Sequence, residues 1–373
     1  MPGSTKSITI HFTGFRFLLF IVILLKPAVS SGEWLSETRL SSDIMVSYPS
    51  AASQNDIALD SIGNIHVVWI DNRDHGATGE YEVYYRRYNP ASGWGLETQL
   101  TDETVIGFDE DRNDDGYPDP IIKISDKQSP GIVVDTDNNL YVSYENTSDQ
   151  TVEVLRCEYS PATDTGPETW IWDSSPQTIG SSGTNDSNPV LAAVGTDIHA
   201  VWRKLTGGHR QIVYAPYTSL TGWGSPQELT TAASDKKAPM IAADAAGNLH
   251  VVWSDDRDGG GGYEIYYMSK PAAGSWQTET RVTTAPAANA LNPFIAADAT
   301  GNLHLAWEDD RDGNFEIYYC LWDTKAVSPG WGSETRVTNE PADSKNPHLV
   351  VDVTAQLHLL WQDRRMVGGF GPL

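Results

Sequence analysis

Acidic residues and arginine recur together at one spacing. The segments "IDNRD", "SDDRD" and "EDDRD" place Asp71, Arg73 and Asp74, then Asp255, Arg257 and Asp258, then Asp309, Arg311 and Asp312 shortly after a tryptophan, and Asp363 and Arg364 end a shortened copy. A guanidinium beside carboxylates can do either of two jobs. It can recognise a carboxylate or sugar hydroxyls through paired hydrogen bonds, or it can pair with its neighbours and stiffen a turn that Asp and Gly already favour. The carboxylates also offer acid or base chemistry of the kind used on glycosidic bonds. Repetition weighs toward the turn, because a catalytic centre has no use for equivalent duplicates. These residues form the candidate ligand-binding set, with no catalytic residue assigned.

A second pattern occurs once. "DRNDDGYPD" sets Asp111, Asn113, Asp115 and Asp119 at alternate positions, with Gly116 for the turn and the Tyr117 carbonyl as a further donor. Alternate oxygen ligands wrap a hard cation, so the stretch reads as a calcium loop. Ile122 stands where an EF-hand carries Glu, and the loop instead resembles the thrombospondin type 3 and dockerin kinds. Histidines tempt a metal reading too, since His66, His199, His250, His304 and His358 recur at one place. Zinc needs its nitrogens within about 2.1 Å of one point. Copies held on separate sheets cannot converge that closely, so a buried, hydrogen-bonded structural role is expected.

The elements that carry these groups form a repeat. Its unit is an apolar run after Pro, an Asp and a "GN" turn, "LHVVW", the charged loop, "EIYY", and a last segment ending "ETRVT". Marked by the tryptophan, six copies fall at Trp69, Tyr144 (substituted), Trp202, Trp253, Trp307 and Trp361. Each unit offers four short segments rich in Val, Ile, Tyr and Trp between Gly, Asn, Asp or Pro turns, without helical periodicity. Four strands in each of six units predict an all-β, six-bladed β-propeller of four-stranded blades. "WLSETRL" at Trp34–Leu40 matches the closing strand of a unit although it stands first, so the N-terminal strand is expected to complete the C-terminal blade. "MVGGFGPL" makes a poor third strand for that blade. Cys157 and Cys320 occupy equivalent third-strand positions of opposite blades, too far apart for a disulfide, and should be unpaired and partly buried.

Composition narrows the function further. Residues 1–30 carry Lys6, Arg16 and Lys26 without an acid around the apolar run Phe17–Leu25, which is too short to span a bilayer and reads as a secretory signal. The remainder, 31–373, reads as one propeller domain with an acidic insertion at about 106–122. With 50 acidic against 25 basic residues and a formal charge of −25, the chain opposes phosphate backbones and anionic lipid surfaces. Nucleic acid and membrane insertion are set aside, and an exported or periplasmic monomer is expected. Asn146 and Asn185 begin sequons that matter only in a glycosylating host.

The pattern "P-x-I-A-A-D…G-N-L-H-V-V-W-x-D-x-R-D-G…E-I-Y-Y…W…R-V-T" resembles the propeller repeats of the sialidase-like superfamily, over roughly residues 34–365. The turns "NPASGW", "SLTGW", "PAAGSW" and "SPGW" keep Gly and Trp but lack the Asp of the sialidase Asp-box, and no "RIP" motif is present. What the resemblance implies is therefore the architecture of a noncatalytic secreted member. The leading expectation is recognition of a glycan or other extracellular macromolecule through the Arg/Asp loops. A sialidase-type glycosidase is the alternative, for which Glu82, Tyr84, Glu264 and Glu316 are available but repeated. A structural segment of a larger adhesin is the third.

Overall fold

The computed structural model describes residues 47–48, 56–71, 81–101, 106–108, 120–122, 127–163, 166–181, 183–259, 261–285, 288–326, 330–352 and 356–363. They contain strands and turns and no helix. Each repeat unit folds as an antiparallel meander. The fourth sheet runs Lys236–Ala243, Leu249–Asp255, Glu264–Lys270 and Thr280–Arg281 in spatial order, and the fifth repeats this as Ala290–Ala297, Leu303–Asp309, Glu316–Trp322 and Thr335–Arg336. The first three sheets follow the same plan around Ile65–Asp71, Leu140–Asn146 and Asp197–Thr206 as second strands. In the sixth, Ser344–Val351 pairs with Leu357–Asp363.

Burial explains the composition of the second strand. All seven residues of Ile65–Asp71 and of Leu249–Asp255 are buried, because this strand is flanked in its own sheet and covered on both faces. That is why "LHVVW" is a continuous apolar run instead of an alternating one. The core lies between sheets, where Tyr214, Met240, Trp253, Phe294, Trp307 and Leu349 form part of one cluster crossing from the third sheet to the sixth. Trp69, Trp202, Trp253 and Trp307 are fully buried, which assigns the repeating tryptophans to packing. The first strands converge on a channel of about 380 Å³, whose apolar wall includes Ala58, Val133, Ala192, Ala242, Ala296 and Val350.

Two local devices set the ends of each sheet. At one end, Asp244 accepts the backbone N–H groups of Ala246 and Asn248 at 2.9 Å each, and its second oxygen takes the Asn248 side-chain amide at 2.8 Å. Gly247 closes that turn with φ of +80°, where a side chain would be strained. Asp60, Asp135 and Asp298 build the same turn. At the other end the first strands of the second to sixth sheets carry a bulge just before their proline, with Ser129, Asn188, Ala238, Asn292 and Asn346 at φ between 45° and 51°. The ladder registers shift there, between Lys237 and Met240 for example.

The cysteines agree with the repeat: Cys157 and Cys320 are both free and buried. Burial pushes the Cys157 thiol up to about 12 and the Cys320 thiol up as well, so neither is a ready nucleophile.

Candidate functional site

Strand register decides where the charged loops lie. Lys236 is paired with Asp255 and Ala290 with Asp309, so "DDRD" leaves its sheet at the end where the first strand begins, opposite the Asp244 turn. Asp255 is fully buried and acts as a hub. It accepts the Trp253 indole N–H at 3.1 Å, the Arg257 backbone N–H at 3.0 Å and the Ser234 hydroxyl at 2.7 Å, and pairs with the Arg257 guanidinium. Burial alone would raise its carboxyl, but these donors outweigh burial and hold it below the ordinary range. Arg257 pairs also with Glu279 and lies 4.2 Å over the Tyr266 ring, whose hydroxyl donates to Asp258 at 2.8 Å.

The fifth sheet repeats the arrangement. Asp309 accepts from Trp307 at 3.0 Å and from Arg311 Nε at 2.9 Å, while Arg311 also pairs with Glu334 and lies 4.4 Å over Tyr318. Tyr318 donates to Asp312, and Arg336 bridges Asp312 at 3.0 Å to the buried Glu316 at 2.8 Å. Arg281 bridges Asp258 and Glu264 in the same way. The glutamates of "EIYY" are thus struts: Glu264 and Glu316 are buried under an arginine and a threonine, and Glu82 is buried under Thr101. Arg257 and Arg311 have two carboxylate partners each, so in these sheets the arginine of the charged loop is held by ion pairs. The loop is neutralised from within.

The remaining candidates divide by position. Asp71 is buried at the end of its strand. Asp363 is described as the last residue of its strand. Arg73, Asp74 and Arg364 lie outside the described residues, as do the calcium-loop residues Asp111, Asn113, Asp115, Tyr117 and Asp119 and the leader 1–30. No group of three or more metal-ligating side chains occurs among the described residues. Four of the five histidines are structural, His66, His199, His250 and His304 each placing Nδ1 within 2.8–2.9 Å of a tyrosine hydroxyl on the third strand, whereas the side chain of His358, expected to be buried, is 43% exposed and bonds Asp352 at 3.1 Å. Burial lowers His66 and His250 and takes His199 down to about 4, which favours the neutral form of these three rings.

Two features escaped the sequence reading. Lys236 is fully buried, and its ammonium donates to the carbonyls of Ala232 and Ser234 at 2.7 Å each and to the Ser234 hydroxyl at 2.8 Å, with Asp255 at 3.8 Å. Lys127 is buried at the equivalent place in the second sheet, 3.8 Å from Glu153. The third sheet differs again. Where the fourth has Ser254 and Asp255, it has Arg203 and Lys204. Arg203 Nη2 and Arg210 Nη1 both donate to the Ser187 hydroxyl, at 3.3 and 3.2 Å. Burial, with the adjacent Arg210 charge, pushes Arg203 down to about 10.

No protein-family model matches this chain, and no curated protein matches it by sequence. Solved structures do match. An ulvan lyase of polysaccharide lyase family PL25, bound to -[GlcA(1-4)Rha3S]-, superposes with a TM-score of 0.53 at 12% identity over 82% of this chain and 78% of its own. The leech intramolecular trans-sialidase complexed with 2,7-anhydro-Neu5Ac gives 0.51 at 8% identity over 89% and 70%. An α-L-arabinanase of Penicillium chrysogenum complexed with arabinobiose gives 0.48 at 14% identity over 82% and 87%. The first two establish the class of fold: this chain has the all-β architecture of a β-propeller.

Proposed function

We propose that the chain is an exported, six-bladed binding propeller that recognises a glycan or another extracellular macromolecule on the face carrying the "DDRD" loops. In this reading residues 1–30 are removed, and Trp34–Leu40 closes the C-terminal blade. The observation that carries it is the strand register, by which the charged loops of the fourth and fifth sheets leave at the end where the first strands begin. Internal ion pairs pre-set those loops, so little ordering entropy is lost when a ligand lands on them. Two structures of this fold hold sugars, -[GlcA(1-4)Rha3S]- in the ulvan lyase and 2,7-anhydro-Neu5Ac in the leech trans-sialidase. Asp111, Asn113, Asp115, Asp119 and the Tyr117 carbonyl would hold calcium and stiffen the rim between the first two blades.

The pairing of Arg257 and Arg311 favours a second reading, in which those two loops are architecture and ligand contacts fall to groups nearer the channel mouth. A glycan array run with calcium and with chelator separates the possibilities, using wild type beside Arg257→Gln and Arg311→Gln. Calcium-dependent binding lost in both variants supports the loops as contacts. Binding retained in both assigns the loops to architecture. Absence of binding to any glycan under either condition rejects the glycan reading, and a melting temperature unchanged by chelator rejects the calcium ion.

A further inference from the structure

We infer that Arg203 and Arg210 form a binding site for one oxyanion, the carboxylate or sulfate ester of an acidic sugar, at the end of the third sheet where its first strand begins. That the anion belongs to a glycan rests on the reading above; the charge argument does not.

The two guanidinium groups meet at a neutral hydroxyl. Ser187 Oγ accepts from Arg203 at 3.3 Å and from Arg210 at 3.2 Å, while Arg210 gives a further bond to the Asn185 carbonyl at 3.0 Å. A hydroxyl oxygen satisfies a donor but cancels no charge. Among the described residues neither arginine has a carboxylate within ion-pair distance, whereas Arg257, Arg281, Arg311 and Arg336 each have two. Arg203 Nε is buried without a hydrogen-bond partner. In a chain carrying 50 acids against 25 bases, two adjacent cations that make no ion pair among the described residues stand against the composition.

The acids whose charge reaches Arg203 are committed elsewhere. Glu145 Oε2 accepts the Asn188 backbone N–H at 3.3 Å, and Asp235 Oδ1 accepts that of Arg210 at 2.9 Å and faces His209 at 3.8 Å. Asp186, the buried acid of this sheet, is taken by the Trp202 indole at 3.1 Å, the Ser181 backbone N–H at 2.9 Å and the Thr184 hydroxyl at 2.6 Å. An incoming oxyanion would supply the missing charge to both guanidiniums in a forked geometry, and the Ser187 hydroxyl could turn to donate to it. Lys237, exposed on the next sheet with its ammonium 3.9 Å over the Tyr263 ring, adds a third cation at the rim.

Isothermal titration calorimetry on the full chain at fixed ionic strength tests this with trigalacturonate, a sulfated oligosaccharide, inorganic sulfate and neutral maltotriose. Saturable binding of an acidic probe and none of maltotriose is expected. Arg203→Gln and Arg210→Gln should each weaken it by about tenfold or more, the loss of a charge-assisted bond. Arg203→Lys, which keeps the charge but not the fork, should weaken it less. Response to the uronate or to the sulfated probe assigns the source of the anion. A second readout needs no ligand: Arg203→Gln should melt at or above the wild-type temperature, since it removes one of two mutually repelling cations. A fall of several degrees would make Arg203 a structural member and overturn the site, as would binding indifferent to both glutamine variants or absent for every anion. Glycan-array binding that survives both substitutions sinks the site and spares the face. Sulfate binding lost in Arg203→Gln, without any glycan binding, does the reverse.

Discussion

Replacing Asp255 by Asn keeps the shape of the side chain and removes its charge from beneath two buried or half-buried cations. Lys236 loses the carboxylate it faces at 3.8 Å, and Arg257 loses one of its two partners, retaining Glu279. An amide N–H then points where the carboxylate accepted from Arg257, Trp253 and Ser234. Removing one member of a buried ion pair costs about 3–5 kcal/mol, since the remaining charge stays desolvated. The fifth sheet supplies the control. Ala290 stands in place of Lys236 against Asp309, so Asp309→Asn strands only Arg311, which keeps Glu334. That loss should be about 1.5–3 kcal/mol, the range for hydrogen bonds to a charged group.

Urea unfolding followed by tryptophan fluorescence and by circular dichroism gives both values, and coincidence of the two probes tests whether a single transition is measured. The order expected is Asp255→Asn worse than Asp309→Asn by about 1–2 kcal/mol. Adding Lys236→Ala to Asp255→Asn should recover part of the deficit, because the double variant then has the Ala–Asn pair that Asp309→Asn creates in the fifth sheet, with no buried ammonium left unpaired. Equal losses would refute the role given to Lys236. Losses under about 1 kcal/mol in both variants would refute the buried hub altogether, and a stable Asp255→Asn that no longer binds ligand would make the loop a site first and a scaffold second.

Acid should destabilise the protein before its carboxylates protonate. Burial lowers His66 and His250 and takes His199 and His348 to about 4, against about 6.5 in the unfolded chain, so stability is full above 6.5 and falls as pH drops from 6.5 toward 4. His199 and His348 each contribute at most on the order of 3 kcal/mol to that fall; melting temperatures between pH 7.5 and 4.5 should slope accordingly, less steeply in His199→Gln, and a flat profile would contradict the buried neutral rings. Gly262→Ala would press a methyl group into the Ala288 backbone carbonyl and should cost about 1–3 kcal/mol by the same urea titration, with no loss if that loop can yield. Thiol titration should find Cys157 and Cys320 slow in the native protein and both reactive in denaturant without reductant, whereas reactivity appearing only after reduction would mean a disulfide.

Architecture was legible in the sequence because it is written many times. The tryptophan at the end of "LHVVW", the Asp and "GN" of the turn, and the tyrosines of "EIYY" each recur, and the recurrences mark positions packed alike in the fourth and fifth sheets: Trp253 and Trp307 buried, His250 on Tyr267 and His304 on Tyr319. Lys127 and Lys236 were not legible. Both sit in polar text, "SDKQSP" and "SDKKAP", and the partners that make their burial tolerable, Glu153 and Asp255, lie 26 and 19 residues downstream. Only the strand register brings such pairs together.

The same comparison explains why the third sheet differs in charge. In the fourth and fifth sheets the indole of the second strand donates to Asp255 and Asp309, two residues further along the same strand. In the third sheet that position is Lys204, and the acid comes instead from Asp186, just ahead of the first strand, at 3.1 Å from Trp202 Nε1. Moving the carboxylate leaves the indole satisfied, so packing is unchanged. It does change what else the acid can do, because Asp255 and Asp309 also pair with the arginine of their own loop, whereas Asp186 spends its remaining lone pairs on Ser181 and Thr184. Among the described residues, Arg203 and Arg210 make no ion pair, where Arg257 and Arg311 do. In the sequence "RKLT" at 203–206 stands out only as a copy that lacks the Arg/Asp loop, and a departure that preserves the fold while freeing charge is where such a scaffold has room for a ligand.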